Sequence, residues 1–328
     1  MTGDIMVSKQ HTEASNVRKS QLLNYVLSLV VVVLVLYILY DHNLLTPLGI
    51  SKPQPFGNTT AGINTPFNAA SLAVINDANN TKFEIAGNML LNGTLTDPVY
   101  YVNKTSGVMG LGPYVVGGKP SVIYIGAISC IYCGENRWAM ALALSRFGSF
   151  KNLYTGYSSI GDGDIPTIYW LPMNYTTKAG VKYGNEYTSN YINFYSVEYE
   201  SPISEGFQMG SLQMLISSSP NGTYKSAMQL MNSTNKFQGT PFTMWGNVVV
   251  PGADGIVFGN TTPSGSIPLT YMTHAEVISQ FSKFNNQFAY GEYAAADVYI
   301  SYICPSINNS APVCSLAPIK KLEQLESL

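Results

Sequence analysis

The pattern of apolar and polar positions divides the chain into one long apolar segment and a series of shorter ones. The long segment, Leu22–Tyr40, contains no charged residue, and its nineteen residues would rise by ~28 Å in a helix, close to the ~30 Å hydrocarbon core of a bilayer. No small-residue cleavage motif follows it, which argues against a secretory signal peptide. Because basic residues precede it, we predict a transmembrane helix at residues 21–41, with residues 1–20 in the cytoplasm and the rest of the chain outside the cell.

The two regions after this segment differ in composition. Residues 42–70 are rich in Pro, Asn, Thr and Gly, a composition typical of an extended linker, so we predict an extracellular stalk. From Ser71 to Gly118, short apolar pieces alternate with turn residues, which predicts strands. These strands would lead into a folded domain that occupies residues 71–328.

The strongest pattern lies in the middle of the chain. Ser121–Gly126 has the composition of a buried strand, Cys130 and Cys133 follow it, and Gly134–Phe147 has the Ala- and Leu-rich composition of a helix. In this helix we expect Trp138 to lie in the core. The later segments are predicted as strands at Tyr191–Val197 and Asn247–Val250, and as helices at Gly210–Ile216, Tyr224–Met231, Thr273–Phe284 and Glu292–Ile303.

The four cysteines form two pairs of different character. Cys304 and Cys314 flank a short loop, and in an exterior compartment they are expected to form a structural disulfide. Cys130 and Cys133 lie between a strand and a helix, where unpaired N–H groups stabilise a thiolate and lower its pKa. We therefore expect Cys130 to attack a disulfide and Cys133, which should be more buried, to resolve the product. A static disulfide between them and a zinc site using all four cysteines are the alternatives.

A second segment is associated with this dithiol. Thioredoxin-like folds place a cis-proline opposite the C-x-x-C motif, and Thr240-Pro241, just before an apolar strand pair, is a segment of this kind. We predict that Thr240 and Pro241 bind an extended substrate; the alternative is a simple turn before a strand. The long interval between Cys133 and Pro241 favours a thioredoxin-like sheet with a helical insertion.

Composition limits the partners and the chemistry. Charged residues make up 11% of the chain, against roughly a quarter in typical domains, and the net charge is −2, so a nucleic-acid partner is not expected. A surface of neutral polar groups suits either an acidic medium or a cover of glycans. The chain has three histidines, which gives little support to a histidine metal site or a Ser-His-Asp triad. His274 is expected at the surface or at a helix cap, and no cofactor or metal is expected.

Acceptor motifs for N-glycosylation occur only after the predicted span. Their position agrees with an exterior domain, although a chain rich in Asn, Ser and Thr also produces such motifs by chance. The nine asparagines are Asn58, Asn79, Asn92, Asn103, Asn174, Asn221, Asn232, Asn260 and Asn308.

Several sequence strings carry a resemblance to a known family. The Glu-x-Arg-Trp-Ala string at Glu135–Ala139 and the Ala-Leu-Ser-Arg-Phe-Gly string at Ala143–Gly148 are the most specific, and Cys130–Cys133, Pro241-Phe242 and Cys304–Cys314 also match. Over roughly residues 115–316 the chain resembles the archaeal "domain of unknown function 929" family. The resemblance implies a thioredoxin-like fold in membrane-anchored exterior proteins of heat- and acid-loving archaea.

This sequence departs from the thioredoxin pattern near the motif. Ser129 occupies the position of the thioredoxin Trp, and the strand Ser121–Ile125 contains no acidic residue that could accept a proton. Glu135 and Arg137 are the charged residues that could instead influence Cys130, although Arg137 is expected mainly to form structural pairs.

Three functions are consistent with these observations. The first is a membrane-anchored thiol–disulfide oxidoreductase or isomerase that acts on exported or surface-layer proteins. The second is a non-catalytic structural or adhesive component of the cell surface, with static disulfides. The third is a soft-metal chaperone that uses Cys130, Cys133 and some of the methionines.

Overall fold

A computed structural model describes the main body of the chain in separate segments. The described residues are 24–35, 66–95, 99–100, 115–127, 130–158, 165–169, 175–176, 182–183, 186–199, 241–246, 248–250, 258–259, 269 and 272–326. The chain divides into two units, Met1–Gln54 and Pro55–Leu328.

In the first unit, residues 24–35 form a helix whose side chains are exposed. Among the described residues, no helix has both the length and the apolar character that crossing a bilayer requires. The remainder of the predicted span Leu22–Tyr40, and most of the predicted stalk, lie outside the described residues. The transmembrane helix therefore stays a prediction.

The second unit contains both helices and strands, as the sequence predicts. Its helices are α1 (Ala69–Asn76), α2 (Asn80–Leu91), α3 (Ile131–Leu144), α4 (His274–Lys283), α5 (Gln287–Ile303) and α6 (Ala317–Glu326). Its strands are β1 (Val99–Tyr100), β2 (Val115–Val116), β3 (Lys119–Ala127), β4 (Gly148–Asn152), β5 (Tyr154–Ser158), β6 (Ile165–Tyr169), β7 (Tyr175–Thr176), β8 (Lys182–Tyr183), β9 (Glu186–Ser189), β10 (Asn193–Tyr199), β11 (Phe242–Trp245), β12 (Val248–Val250) and β13 (Phe258–Gly259).

The strand before the dithiol is central in a mixed sheet with the order β10-β3-β11-β12. β10 runs parallel to β3, with Tyr195 opposite Ile123, whereas β11 runs antiparallel to it, with Phe242 opposite Ile125. β12 continues the sheet antiparallel to β11. The side chains of β3 from Ser121 onwards are all buried, which explains why this strand reads as a continuous apolar run.

Two helices form the centre of the core beside this sheet. α3 packs against α5 and β6, and nearly the whole surface of both helices is buried. In α5, Ala294–Ala296 provides a small-residue surface, and Tyr299 stacks on Trp245 of β11 with ring centroids 4.3 Å apart. Trp138 of α3 is fully buried, as predicted, and donates from Nε1 to the carbonyl of Pro166 at 2.9 Å.

The prediction of strands between Ser71 and Gly118 is wrong for the first part of that region. α1 and α2 form there, and the side chains of Asn68 and Asn79 accept hydrogen bonds from the first turns of these helices. Asparagine is a favourable N-cap, and in α2 the buried Phe83, Ala86 and Gly87 have helical spacing. The polar residues that resemble turn signals are therefore helix caps.

The other predicted helices are present with shifted beginnings or lie outside the described residues. α3 begins at Ile131 rather than Gly134, and α5 begins at Gln287 rather than Glu292. The described residues between α3 and β11 form strands β4 to β10. The predicted helices Gly210–Ile216 and Tyr224–Met231, which would form the helical insertion, lie outside the described residues.

The predicted disulfide between Cys304 and Cys314 is confirmed. The two Cα atoms are 5.7 Å apart, within the usual range for a disulfide. The bridge joins two short 3-10 helices, Cys304–Ile307 and Pro312–Ser315, that connect α5 to α6. Both cysteines are fully buried, so the bridge is part of the core.

Candidate functional site

Cys130 occupies the N-cap position of α3, immediately beyond the end of β3. Its backbone is extended, with φ −74° and ψ 120°, and its Sγ accepts a hydrogen bond from the backbone N–H of Cys133 at 3.3 Å. No disulfide joins Cys130 to Cys133. This geometry stabilises negative charge on the Cys130 sulfur, because the donor and the helix dipole favour the thiolate over the thiol.

The two thiols differ in accessibility. Cys130 is half-buried, whereas Cys133 is fully buried, as predicted from its place inside the first turn. Between them, Ile131 is half-buried and Tyr132 has an exposed fraction of 44%. Cys130 is therefore the more exposed of the two cysteines, and Tyr132 presents a large aromatic surface close to it in the chain.

Arg137 holds the turn that carries Cys130. Its guanidinium donates to the Ala127 carbonyl and to Ser158 Oγ, both at 2.9 Å, and it lies over the Tyr124 ring. The same Ala127 carbonyl accepts the backbone N–H of Cys130 at 3.2 Å. Arg137 thus forms the structural pairing that the sequence suggested, and it fixes the junction between β3 and α3.

Pro241 lies at the same end of the sheet as the dithiol. Phe242 pairs with Ile125 of β3, so Pro241 precedes the paired segment at the end of β3 that leads to Cys130. Pro241 is buried. Thr240 lies outside the described residues, so the cis peptide bond and the substrate-binding role of Thr240 and Pro241 stay predictions.

Three buried carboxyl groups lie on α3 and α5, and the sequence pattern did not predict their burial. Burial raises the pKa of Glu135, Glu292 and Asp297 well above their ordinary values. The Cys130 thiolate also raises the pKa of Glu135, and Glu135 raises that of Glu292, while the nearby Ala139 amide lowers it. Within the described residues, Oε2 of Glu135 and both oxygens of Glu292 and Asp297 accept no hydrogen bond of standard geometry.

A sequence signal existed for two of these carboxyls. Glu292 and Asp297 lie in α5 among apolar, aromatic and small residues, so no polar face is left to expose them. A carboxyl in such a helix must be buried, and burial without a nearby cation raises its pKa because the charged form is disfavoured. Glu135 is followed by Asn136 and Arg137 and carries no such signal.

The prediction that His274 lies at the surface or caps a helix is wrong. Thr273 is the N-cap of α4, and the half-buried His274 ring contacts the rings of Tyr157 and Trp138. Its Nε2 lies 2.8 Å from the Gly156 carbonyl and 3.0 Å from the Thr167 carbonyl. Burial lowers its pKa from 6.5 to about 4, although these carbonyls act in the opposite direction. His274 therefore joins α4 to β5 and β6.

Three of the nine sequon asparagines lie in the described residues. Asn79 at the N-terminus of α2, Asn92 at its C-terminus and Asn308 beside the disulfide are all exposed. Asn58, Asn103, Asn174, Asn221, Asn232 and Asn260 lie outside the described residues. Glycosylation therefore stays a prediction at all nine positions.

The disulfide excludes the zinc site built from all four cysteines, because Cys304 and Cys314 have no thiolates to offer. In the part of the chain that the structure describes, no group of three or more His, Cys, Asp or Glu side chains is arranged to hold a metal ion.

The fold and the site together define a mixed α/β protein with a dithiol at the first turn of the helix that follows the central strand. Residues 111–305, more than half of the chain, match the family described as "Domain of unknown function (DUF929)". The chain belongs to this family. Comparison with curated proteins and with solved structures finds no match.

Proposed function

We propose that the protein is a thiol–disulfide oxidoreductase or isomerase that uses Cys130 and Cys133. The observation that carries this proposal is the position of the half-buried Cys130 at the N-cap of α3, where its sulfur accepts the Cys133 N–H at 3.3 Å. A sulfur in this position is stabilised as the nucleophilic thiolate, and a buried second thiol one turn away is suited to resolve the product.

We also propose that the fold is thioredoxin-like. Two features support this assignment: β3, α3 and the parallel strand β10 form a β-α-β arrangement, and the C-x-x-C motif lies within it. The antiparallel strand β11 begins after Pro241 at the end of β3 that leads to Cys130, as expected for the substrate-binding proline.

The reaction follows from the difference between the two thiols. The Cys130 thiolate attacks one sulfur of a substrate disulfide and forms a mixed disulfide, while the other substrate sulfur leaves as a thiolate and takes up a proton. The Cys133 thiolate then attacks Cys130, and the remaining substrate sulfur leaves. The substrate disulfide gains two electrons, and Cys130 and Cys133 become joined. A dithiol donor restores them, and the reverse sequence oxidises a substrate dithiol.

The proposed substrates are exported or surface-layer proteins, which an extended segment would present to the site. The backbone around Thr240 and Pro241 would pair with such a segment, and the exposed Tyr132 ring would contact its side chains. The uncharged Leu22–Tyr40 segment and the sequons support anchoring in the cell membrane with this domain outside.

A trapping experiment tests the redox function. A dye-labelled peptide that contains one disulfide is mixed with the reduced full chain carrying Cys133→Ser or Cys130→Ser. The Cys133→Ser protein should retain the dye covalently until dithiothreitol is added, because the mixed disulfide at Cys130 cannot be resolved. The Cys130→Ser protein, the matched control, should retain none. Absence of label on Cys133→Ser at every pH tested would contradict the proposal.

A structural or adhesive role is the second candidate. The three described sequon asparagines are all exposed, and a glycan-covered surface component would have this property. In that case the dithiol would form no mixed disulfide with the labelled peptide, so the trapping experiment separates the two functions.

A further inference from the structure

Two carboxyl groups that the proposed reaction does not use lie in the interior near the dithiol. Glu135 of α3 is 2% exposed and Glu292 of α5 is 1% exposed, and these two helices pack against each other. Glu135 lies within electrostatic range of Cys130 on one side and of Glu292 on the other. The three groups therefore form a series of interactions that begins at the half-buried sulfur and ends inside the core.

Within the described residues, neither Glu135 nor Glu292 forms an ion pair, and three of their four oxygens accept no hydrogen bond of standard geometry. Two neighbouring negative charges are unfavourable in an interior of low dielectric constant. The pair is therefore expected to retain a proton at pH values where exposed glutamates have lost theirs.

Other titratable groups also lie around α3 and α5. Tyr293 and Tyr302 of α5 are buried, and Arg146, just after α3, donates to the Asn76 carbonyl. Lys82 of α2 donates to the carbonyls of Phe281 and Ser282, and Glu323 of α6 accepts from Asn309. Arg137 donates to Ser158 and Ala127, and Asp297 interacts with the Gly87 amide of α2. His274 of α4 contacts the β5 and β6 carbonyls, Tyr299 accepts from Asn136, Cys133 is buried in the first turn, and Tyr124 of β3 lies beneath Arg137.

We propose that Glu135 and Glu292 form a buried acid pair that retains one proton and thereby controls how readily Cys130 loses its own proton, an inference that rests on the redox function proposed above. Glu135 is a positioning residue, because its protonation state sets the charge beside the Cys130 sulfur. Glu292 acts on Cys130 through Glu135.

The proposed control works by moving charge between the two carboxyls. While Cys130 is a thiol, the single negative charge of the pair can lie on either group. Once Cys130 becomes a thiolate, the charge is more stable on Glu292, because Glu292 does not share the interaction of Glu135 with Cys130. The proton of the pair then lies on Glu135, where it removes the repulsion that would otherwise oppose the thiolate.

The test follows the rate at which iodoacetamide alkylates Cys130 in the reduced full chain as pH is varied, with mass spectrometry separating Cys130 from Cys133. Glu135→Gln leaves the charge on Glu292, where the thiolate form already has it, so the pH midpoint should fall by no more than a few tenths of a pH unit. Glu292→Gln confines the charge to Glu135, so the midpoint should rise by about half to one pH unit, a ~3- to 10-fold slower reaction below the midpoint. Glu84→Gln, at an exposed position of α2, is the matched control and should leave the midpoint unchanged.

A rise in Glu292→Gln without a rise in Glu135→Gln supports the acid pair, because a merely structural role would not produce this difference. A rise in both variants, or no rise in Glu292→Gln, would overturn the acid pair and leave the dithiol chemistry intact. If Cys130 fails to react at any pH, the proposed redox function itself is wrong. If a glutamate variant does not fold, infrared spectroscopy of the Asp297→Asn chain replaces it, because that change removes the other buried carboxyl. A protonated-carboxyl band should persist well above the ordinary glutamate pKa of ~4.3, and its absence would overturn the pair.

Discussion

At the scale of single residues, the end of β3 shows how closely the chain is packed on its way to the dithiol. Tyr124 and Gly126 lie on the same face of the strand, and the Tyr124 ring covers the position that a Cβ atom of Gly126 would occupy. The same arrangement occurs in the β5-β6 pair, where the Tyr169 ring covers Gly156 and its hydroxyl donates to the Tyr157 carbonyl at 2.8 Å. Glycine is needed at both positions because a tyrosine ring lies directly against the backbone there, and not because the backbone conformation is unusual.

Gly126→Ala should therefore lower the free energy of unfolding by about 1–3 kcal/mol, because the added methyl group would collide with the Tyr124 ring. Urea unfolding followed by tryptophan fluorescence measures this change. Gly93→Asn is the control: a Cβ atom there meets nothing within 4 Å, and asparagine tolerates its φ of 65°. Equal stability of the Gly126→Ala protein and the unaltered chain would contradict this account.

At the scale of secondary-structure elements, helix boundaries are set by side chains just outside the helices. α4 begins with a capping box in which Thr273 Oγ1 accepts the Glu276 N–H at 3.2 Å and Glu276 accepts the Thr273 N–H at 2.6 Å. These hydrogen bonds hold the pKa of Glu276 below its ordinary value. α4 matters to the whole domain, because Val277 and Phe281 on this helix belong to the core.

Thr273→Ala should reduce the free energy of unfolding by about 1 kcal/mol at neutral pH, since it removes one side of the capping box. The loss should shrink as pH falls through the lowered pKa of Glu276, because the Thr273 hydroxyl also donates to Glu276 Oε2 at 2.9 Å and protonation of Glu276 weakens this bond. Urea titrations at several pH values measure both effects. Thr273→Ser retains the hydroxyl and serves as the control. If it lowered the free energy of unfolding as much as Thr273→Ala, the capping explanation would be contradicted.

At the scale of the whole molecule, the buried titratable groups determine how stability depends on pH. The folded-state pKa of Glu135, Glu292 and Asp297 is raised, so their contribution to stability is fully present below the ordinary carboxyl pKa of about 4 and is lost as pH rises through the raised values. His274 acts in the opposite sense, because its pKa is lowered to about 4 and stability is lost as pH falls below 6.5. Three carboxyls against one histidine favour greater stability in acid.

The urea midpoint of the full chain should accordingly be higher near pH 4 than near pH 8. Asp297→Asn should make this dependence less steep, because the amide carries no charge that burial could penalise, and the two proteins should differ most at high pH. Glu84→Gln, an exposed change, should leave the slope as it is. A urea midpoint that rises from acid to neutral pH would show that the three carboxyls do not dominate the pH dependence of stability.

The local sequence was sufficient to predict much of the site and part of the fold. The buried strand Ser121–Gly126, the dithiol at the start of the following helix and the Cys304–Cys314 pair were all predictable, because each depends on neighbours along the chain. The caps Asn68 and Asn79 were misread as turn residues, since one asparagine can serve either role until the packing of the next segment is known.

Tertiary structure alone decided the environment of the dithiol. Glu292 belongs to a helix distant in the sequence, and only the packing of α3 against α5 brings it into electrostatic range of Glu135. The half-buried position of His274 likewise depends on carbonyls from β5 and β6. Burial and charge interactions are properties of surroundings assembled from remote segments, so no local pattern around a residue determines them.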